Sequence, residues 1–319
     1  MNRWLKFIAV RIMYMLFSLY VIVTATFFLM NFLPGTPYQD QSRLTAIQLQ
    51  MLNEKYGLSD PLGKRYVTYI ANLLRGDMGI SLQFSDQKVT TILKTRVGPS
   101  LRLGIQAAVF GTLCGIFLGT IAAVKHNTAI DTFCSLFAII GRSVPNFVAA
   151  VLLQFVFAIT LKLLPIGLWN DGWRSTILPS LALSVSPMAD SARFIRSEMI
   201  EILSSDYIEL ARAKGMSEVQ VVLKHGIRNA LIPLITIIGP MTVSLMTGSL
   251  VVENIFAVPG IGEQFTKSIL SNDYSTIMAV TILFSALLMA MLLVIDILYQ
   301  VIDPRVRASL VARKKDRVK

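Results

Sequence analysis

Apolar runs long enough to cross a bilayer recur along the chain, separated by short polar segments. Six of them approach the ~20 residues that a spanning helix requires. Residues 12–33 and 103–124 contain no charged side chain, while 132–164 is long but broken by Arg142 and Pro145. The fourth, 177–194, is the weakest, because it holds Pro179, Pro187 and Asp190. Residues 230–252 make the fifth, and 277–302, with Asp296 near its end, the sixth. The pattern predicts an all-α integral membrane protein with six transmembrane helices. The first run is longer than a signal-peptide core and lacks a small-x-small cleavage site, so it is expected to stay as an anchor.

Composition agrees, with 54% hydrophobic and only 15% charged residues, far from the balance of a soluble domain. The net charge of +11 does not point to nucleic acid, since the Lys and Arg residues fall between apolar runs rather than along one soluble face. It fits retention of basic residues on the cytoplasmic side. With the N-terminus inside, Arg3, Lys6, Arg11, Lys125, Arg193, Arg196, Arg212, Lys214, Lys224, Arg228 and the basic residues after position 304 all lie inside, and the two short outer loops carry only Arg174 and Lys267. Both termini are therefore expected in the cytoplasm. On this scheme 1–33 holds the N-terminus and first helix, and 34–102 a long extracytoplasmic loop. Residues 103–302 hold the remaining helices, and 303–319 a basic tail. Within the outer loop, the stretch AIQLQMLNEKYGL suits a short helix. Cys114 and Cys134 lie in apolar runs and read as small buried hydrophobes rather than a disulfide or metal framework. His126 and His225 read as solvated or locally bonded side chains of cytoplasmic loops.

One cytoplasmic segment is unusually polar: DYIELARAKGMSEVQVVLKHGIRNALIP, starting at Asp206. Ser205 or Asp206 can cap a helix running to Lys214, and Gly215 supplies a left-handed stop. SEVQ, from Ser217, fits a capping box that starts a second helix toward the fifth span. Ala211 and Ala213 are expected to give a thin surface for close approach, with Glu209 and Arg212 at its rim. By charge and amphipathicity alone, this hairpin suits a protein partner or an anionic lipid surface equally.

The same segment resembles the cytoplasmic EAA loop of permease subunits of ABC importers, in the form found in peptide and nickel permeases. Glu209, Ala211 and Gly215 match its glutamate, second alanine and glycine, while Leu210 replaces the first alanine. NFLPGTP, YGLSDPLGKRYVTYIANLLRGDMGISL, VVENIFAVPGIGEQFTKSI and DILYQVIDPRVR resemble the same branch in the same order. The resemblance lies nearest the first permease subunit of oligopeptide transporters, with dipeptide or nickel permeases as alternatives. It implies a type I importer permease fold in a bacterial cytoplasmic membrane and a second, homologous permease as partner. It also implies two ABC ATPases that use ATP and Mg, and an extracytoplasmic peptide-binding lipoprotein. Asp206, Tyr207, Glu209, Ala211, Arg212, Ala213 and Gly215 would form the ATPase-coupling loop, within 195–229.

No catalytic residue is expected. The chain contains no G-x-x-x-x-G-K-[S/T], and PGIG, from Pro259, reads as a turn in an outer loop. Arg142 falls near mid-bilayer, where a charge is costly. It could attract a substrate carboxylate, with Pro145 and Asn146 beside it in a translocation path, or it could pair structurally with Asp190 or Asp296. Asp190 and Arg193, three apart, also suit a local pair. Gly111, Gly115 and Gly119 form a face for close helix packing, against a helix of this chain or of a partner. An intramembrane hydrolase lacks a supporting motif. A solitary secondary transporter would suit the broken spans, yet it would leave the cytoplasmic hairpin without a role.

Overall fold

The computed structural model describes residues 3–32, 38, 45–84, 86–246 and 250–302. The basic tail and most of NFLPGTP lie outside the described residues. In chain order the helices are α1 (Arg3–Phe32), α2 (Ala46–Lys55), α3 (Leu62–Leu74), α4 (Val89–Val124), α5 (Ala129–Ser143), α6 (Asn146–Leu153) and α7 (Arg174–Leu203). There follow α8 (Asp206–Ala213), α9 (Glu218–Val221), α10 (Arg228–Met246), α11 (Leu250–Ile255), α12 (Ile261–Leu270) and α13 (Tyr274–Ile302). Wider π-helical turns continue α6 over Gln154–Thr160 and join α9 to α10 over Val222–Ile227. Among the described residues the sole β pairing is one bridge, Ile80 with Lys88. The chain forms two compact units, Met1–Pro99 with Pro259–Leu287, and Ser100–Val258 with Leu288–Lys319.

Among the described residues, four helical stretches are long and apolar enough to cross a membrane: Lys6–Phe32, Val89–Val124, Glu218–Ile255 and Tyr274–Ile297. The bent pair Ala129–Ser143 and Asn146–Thr160 makes a fifth when counted as one broken span. The remaining predicted run lies in α7, a 30-residue helix that is long enough to cross but too polar to pass by composition. Its apolar demand is low because its surface is turned inward: Leu178, Ala182, Leu183, Ala189, Ala192, Ile195 and Met199 are all buried.

In the first unit, α4 begins well before the predicted apolar run. Val89, Ile92, Leu93 and Val97 follow helical spacing, and Val89 and Leu93 pack with Ile261, Ala279 and Val280. A buried polar knot adds to this: Ser81 Oγ and Thr276 Oγ1 each donate to Asp273 Oδ2 at 2.6 Å. Helix α2 forms where expected, closed by a capping box between Thr45 and Gln48.

The second unit is built around α7. Its main core joins Leu103, Ala107 and Ala108 of α4 with Ala150, Leu178, Ala182, Leu183, Leu245, Val252, Phe256 and Val258. Three of the glycines of α4, Gly111, Gly115 and Gly119, decide how close α7 comes. A Cβ added at Gly111 would stand 2.6 Å from the Ser184 carbonyl oxygen, and one at Gly115 the same distance from that of Met188; Gly119 faces Ala192. The neighbour on this face is therefore a helix of the same chain. PGIG is the cap of a helix rather than a simple turn, since Gly260 precedes α12 in extended backbone.

Candidate functional site

Helix α8 forms a compact hairpin with α9. The helix starts at Ser205, whose hydroxyl donates back to the Ile202 carbonyl at 2.6 Å instead of capping α8. At the other end Gly215 takes φ +82°, a left-handed turn that costs a non-glycine residue about 1–2 kcal/mol. Ser217 and Gln220 then close the predicted capping box of α9. Ile208, Ala211 and Val221 meet in the interior, with Met216, Ile202 and Leu203 around them.

This interior corrects one expectation. Ala211 is buried and cannot offer a surface for close approach; it is small because α9 packs directly on it. Helical spacing explains the result, since Ile208 and Ala211 share a face while Leu210 and Ala213 lie off it. The outward apolar edge is Tyr207, Leu210, Val219 and Leu223, all exposed. Asp206, Glu209, Arg212 and Ala213 are exposed beside it. Arg212 Nε donates to Glu218 Oε1 at 2.8 Å, and Nη2 to Oε2 at 3.2 Å, which ties α8 to α9. That bond holds the Arg212 guanidinium further above its ordinary range, although so exposed a pair adds little stability. Asn229 donates to the Tyr207 hydroxyl at 3.1 Å, fastening the hairpin to the base of α10.

A second cluster, scattered in sequence, stands at the start of α5. Asp131 is 4% exposed and accepts from Arg196 Nε at 2.6 Å and Nη2 at 2.8 Å. The Asn127 backbone N–H donates to it at 3.0 Å, Ser135 Oγ at 3.2 Å, and His126 Nδ1 lies 3.1 Å away. Arg196 stands on α7 shortly before α8, so this clamp fixes the α4–α5 turn to the stem of the hairpin. Asp131 and Arg196 are 65 positions apart, so no local pattern announces the pair.

Arg142 ends α5. Pro145 lacks an N–H and excludes helical backbone from Val144, which is extended at φ −81° and ψ 119°, and α6 leaves at 102° to α5. Arg142 Nη1 meets Asp190 Oδ2 at 2.5 Å, so Asp190 reaches across to α5 rather than along α7 to Arg193. The Arg142 side chain remains 58% exposed. It borders a cleft of about 430 Å³ shared with Cys134, Ser135, Asp190, Arg193 and Arg196. Asn146 accepts from Ser186 Oγ at 2.9 Å. Cys134 is buried, and Cys114 is partly so.

Residues 115–308 match the family described as binding-protein-dependent transport system inner membrane component. The chain belongs to that family. This ABC importer permease is 45% identical over 302 residues to the dipeptide transport system permease protein DppB of Lactococcus lactis subsp. cremoris, covering 95% of this chain and 99% of that one. It is 39% identical over 304 residues to the oligopeptide transport system permease protein OppB of Haemophilus influenzae, with the same coverage. Among solved structures, the inward-facing MetNI methionine ABC transporter superposes with a TM-score of 0.57 at 18% identity, over 67% of this permease and 97% of that chain. The fold is thus that of a type I importer permease, and the protein resides in the bacterial inner membrane.

Proposed function

We propose that this permease imports peptides as one of two different membrane subunits, and that its α8–α9 hairpin receives the motion of an ATPase partner. The peptide assignment is supported by relatives named for dipeptide and oligopeptide transport, which align over 95% of the chain. The coupling assignment rests on the build of the hairpin: a buried interior with an exposed apolar edge and an acidic and basic rim. An eight-residue helix is about 12 Å long, and its internal packing lets it move as a rigid piece. A flexible loop would absorb the displacement instead.

In this scheme both termini and the hairpin face the cytoplasm, partner ATPases hydrolyse ATP with Mg, and an extracytoplasmic lipoprotein delivers the peptide. The chain itself carries out no hydrolysis. The clamp of Asp131 on Arg196 joins the hairpin stem to α5, so displacement of α8 is passed toward Arg142, Pro145 and Asn146. These three are assigned to the translocation path, where the exposed side of Arg142 offers a cation to a peptide carboxylate.

Purification from native levels in mild detergent, with mass spectrometry of what accompanies the chain, tests the assembly. Recovery of a second permease and ATPases, with the ATPases reduced by Glu209→Lys, is the expected result. Recovery of this chain alone, under conditions that keep other membrane complexes whole, would overturn it. Uptake of labelled dipeptide, longer peptide and nickel by the reconstituted complex then separates the substrate classes.

A further inference from the structure

Helix α3 carries an apolar arc that little protein covers. None of its residues is buried, and Val67 and Leu74 are 66% and 84% exposed. Aromatic contacts fix its place against α1, within one unit. The Tyr66 hydroxyl lies 2.8 Å from Thr24 Oγ1, and its ring stands 5.4 Å from those of both Phe27 and Phe28. Tyr69 stacks on Phe27 at 5.3 Å, and its partial burial there pushes its phenol up to about 12. Phe28 precedes Phe32 by one helical turn, about 6 Å along the axis. Helix α3 therefore lies beside the last turns of a membrane span.

Around α3, at about 3.6 residues per turn, Tyr66, Tyr69 and Leu73 share the side toward α1. Val67, Ile70 and Leu74 continue that apolar arc outward. Lys64, Thr68, Asn72 and Arg75 occupy the other side, where Lys64 also bonds Asp60 Oδ1 at 2.8 Å. The arc runs on into the exposed face of α1, where Leu29 and Phe32 are 62% and 71% exposed. A surface continuous with a lipid-facing span, about a turn below its end and rimmed by basic residues, has the chemistry of an interfacial helix.

We propose that α3 is an interfacial membrane anchor. Val67, Ile70 and Leu74 enter the acyl region beside α1, while Lys64 and Arg75 meet phospholipid phosphates. The long loop is thereby held against the bilayer close to the first span. This inference rests on α1 crossing the membrane and not on the coupling role of the hairpin, so the two fail independently.

The test is site-directed spin labelling in the assembled transporter. Cys114 and Cys134 are replaced by alanine, and single cysteines are placed by Val67→Cys, Leu74→Cys and Thr68→Cys. The complexes are reconstituted into phosphatidylethanolamine–phosphatidylglycerol vesicles, and collision rates with oxygen and with a water-soluble nickel chelate are compared. Oxygen should dominate at 67 and 74, and the nickel chelate at 68. Dominance of the nickel chelate at 67 and 74 would place the arc in water. Exclusion of both reagents there would mean that a protein partner covers it; either result overturns the proposal.

Discussion

Asp131→Asn is a near-isosteric change whose cost can be worked from the clamp. The carboxylate accepts from Arg196 on both oxygens, from Ser135 on Oδ1, and from the Asn127 N–H on Oδ2. An amide presents one acceptor oxygen and one NH₂ group. In either orientation the NH₂ faces a guanidinium N–H, so at least one charge-assisted bond becomes a donor–donor clash. Hydrogen bonds to charged groups contribute about 1.5–3 kcal/mol. The Arg196 side chain is 30% exposed, so water can recover part of the loss. The expected destabilisation is about 2–3 kcal/mol. For a unit of this size that corresponds to a fall of roughly 5–10 °C in thermal midpoint, measured on the purified complex by loss of monodisperse protein after heating. Because the clamp also joins α5 to the hairpin stem, peptide uptake per ATP hydrolysed should fall in the surviving complex. An unchanged midpoint together with unchanged uptake per ATP would refute both the energetic and the coupling roles of Asp131.

Gly115→Val should cost at least the ~1–3 kcal/mol typical of overpacking, because its Cβ would strike the Met188 backbone. A sharp drop in folded yield is expected, whereas Gly98→Ala, with nothing within 4 Å of its Cβ, should leave yield intact. Gly215→Pro cannot adopt φ +82°, since proline is held near −65°; ATPase activity should become independent of transport while the protein stays in the membrane, as membrane fractionation would show. Leu210→Ala removes exposed apolar surface and should cut ATPase retention on the purified permease about tenfold, equivalent to ~1.4 kcal/mol, without changing permease yield. Arg142→Gln should keep assembly and lose uptake if the exposed side of the guanidinium serves the path, and misassembly would show that pairing with Asp190 is its whole role.

Much of the α8–α9 hairpin was legible in advance because its signals are local. A glycine stop at Gly215 and a Ser-x-x-Gln box at Ser217 act through backbone groups within a turn, and both formed as expected. The face of α8 was misread at Ala211, since a short helix with residues of mixed character does not reveal which side a following helix will cover. Sequence offered two partners for Arg142, and Asp190 is the one the fold brings to it; Asp190 pairs with Arg142 rather than with the expected Arg193.

By itself the sequence determined the all-helical class, the broken third run and the turn chemistry of the hairpin. These follow from apolar length, from a proline without an N–H, and from caps that satisfy nearby backbone groups. Tertiary structure alone decided that α7 is the centre of its unit, that α4 presents its glycines to that helix, and that Asp131 and Arg196 meet. Packing partners and long-range ion pairs depend on which surfaces close chain segments bring together. Periodicity shows that a face exists, and only the folded chain supplies what it touches.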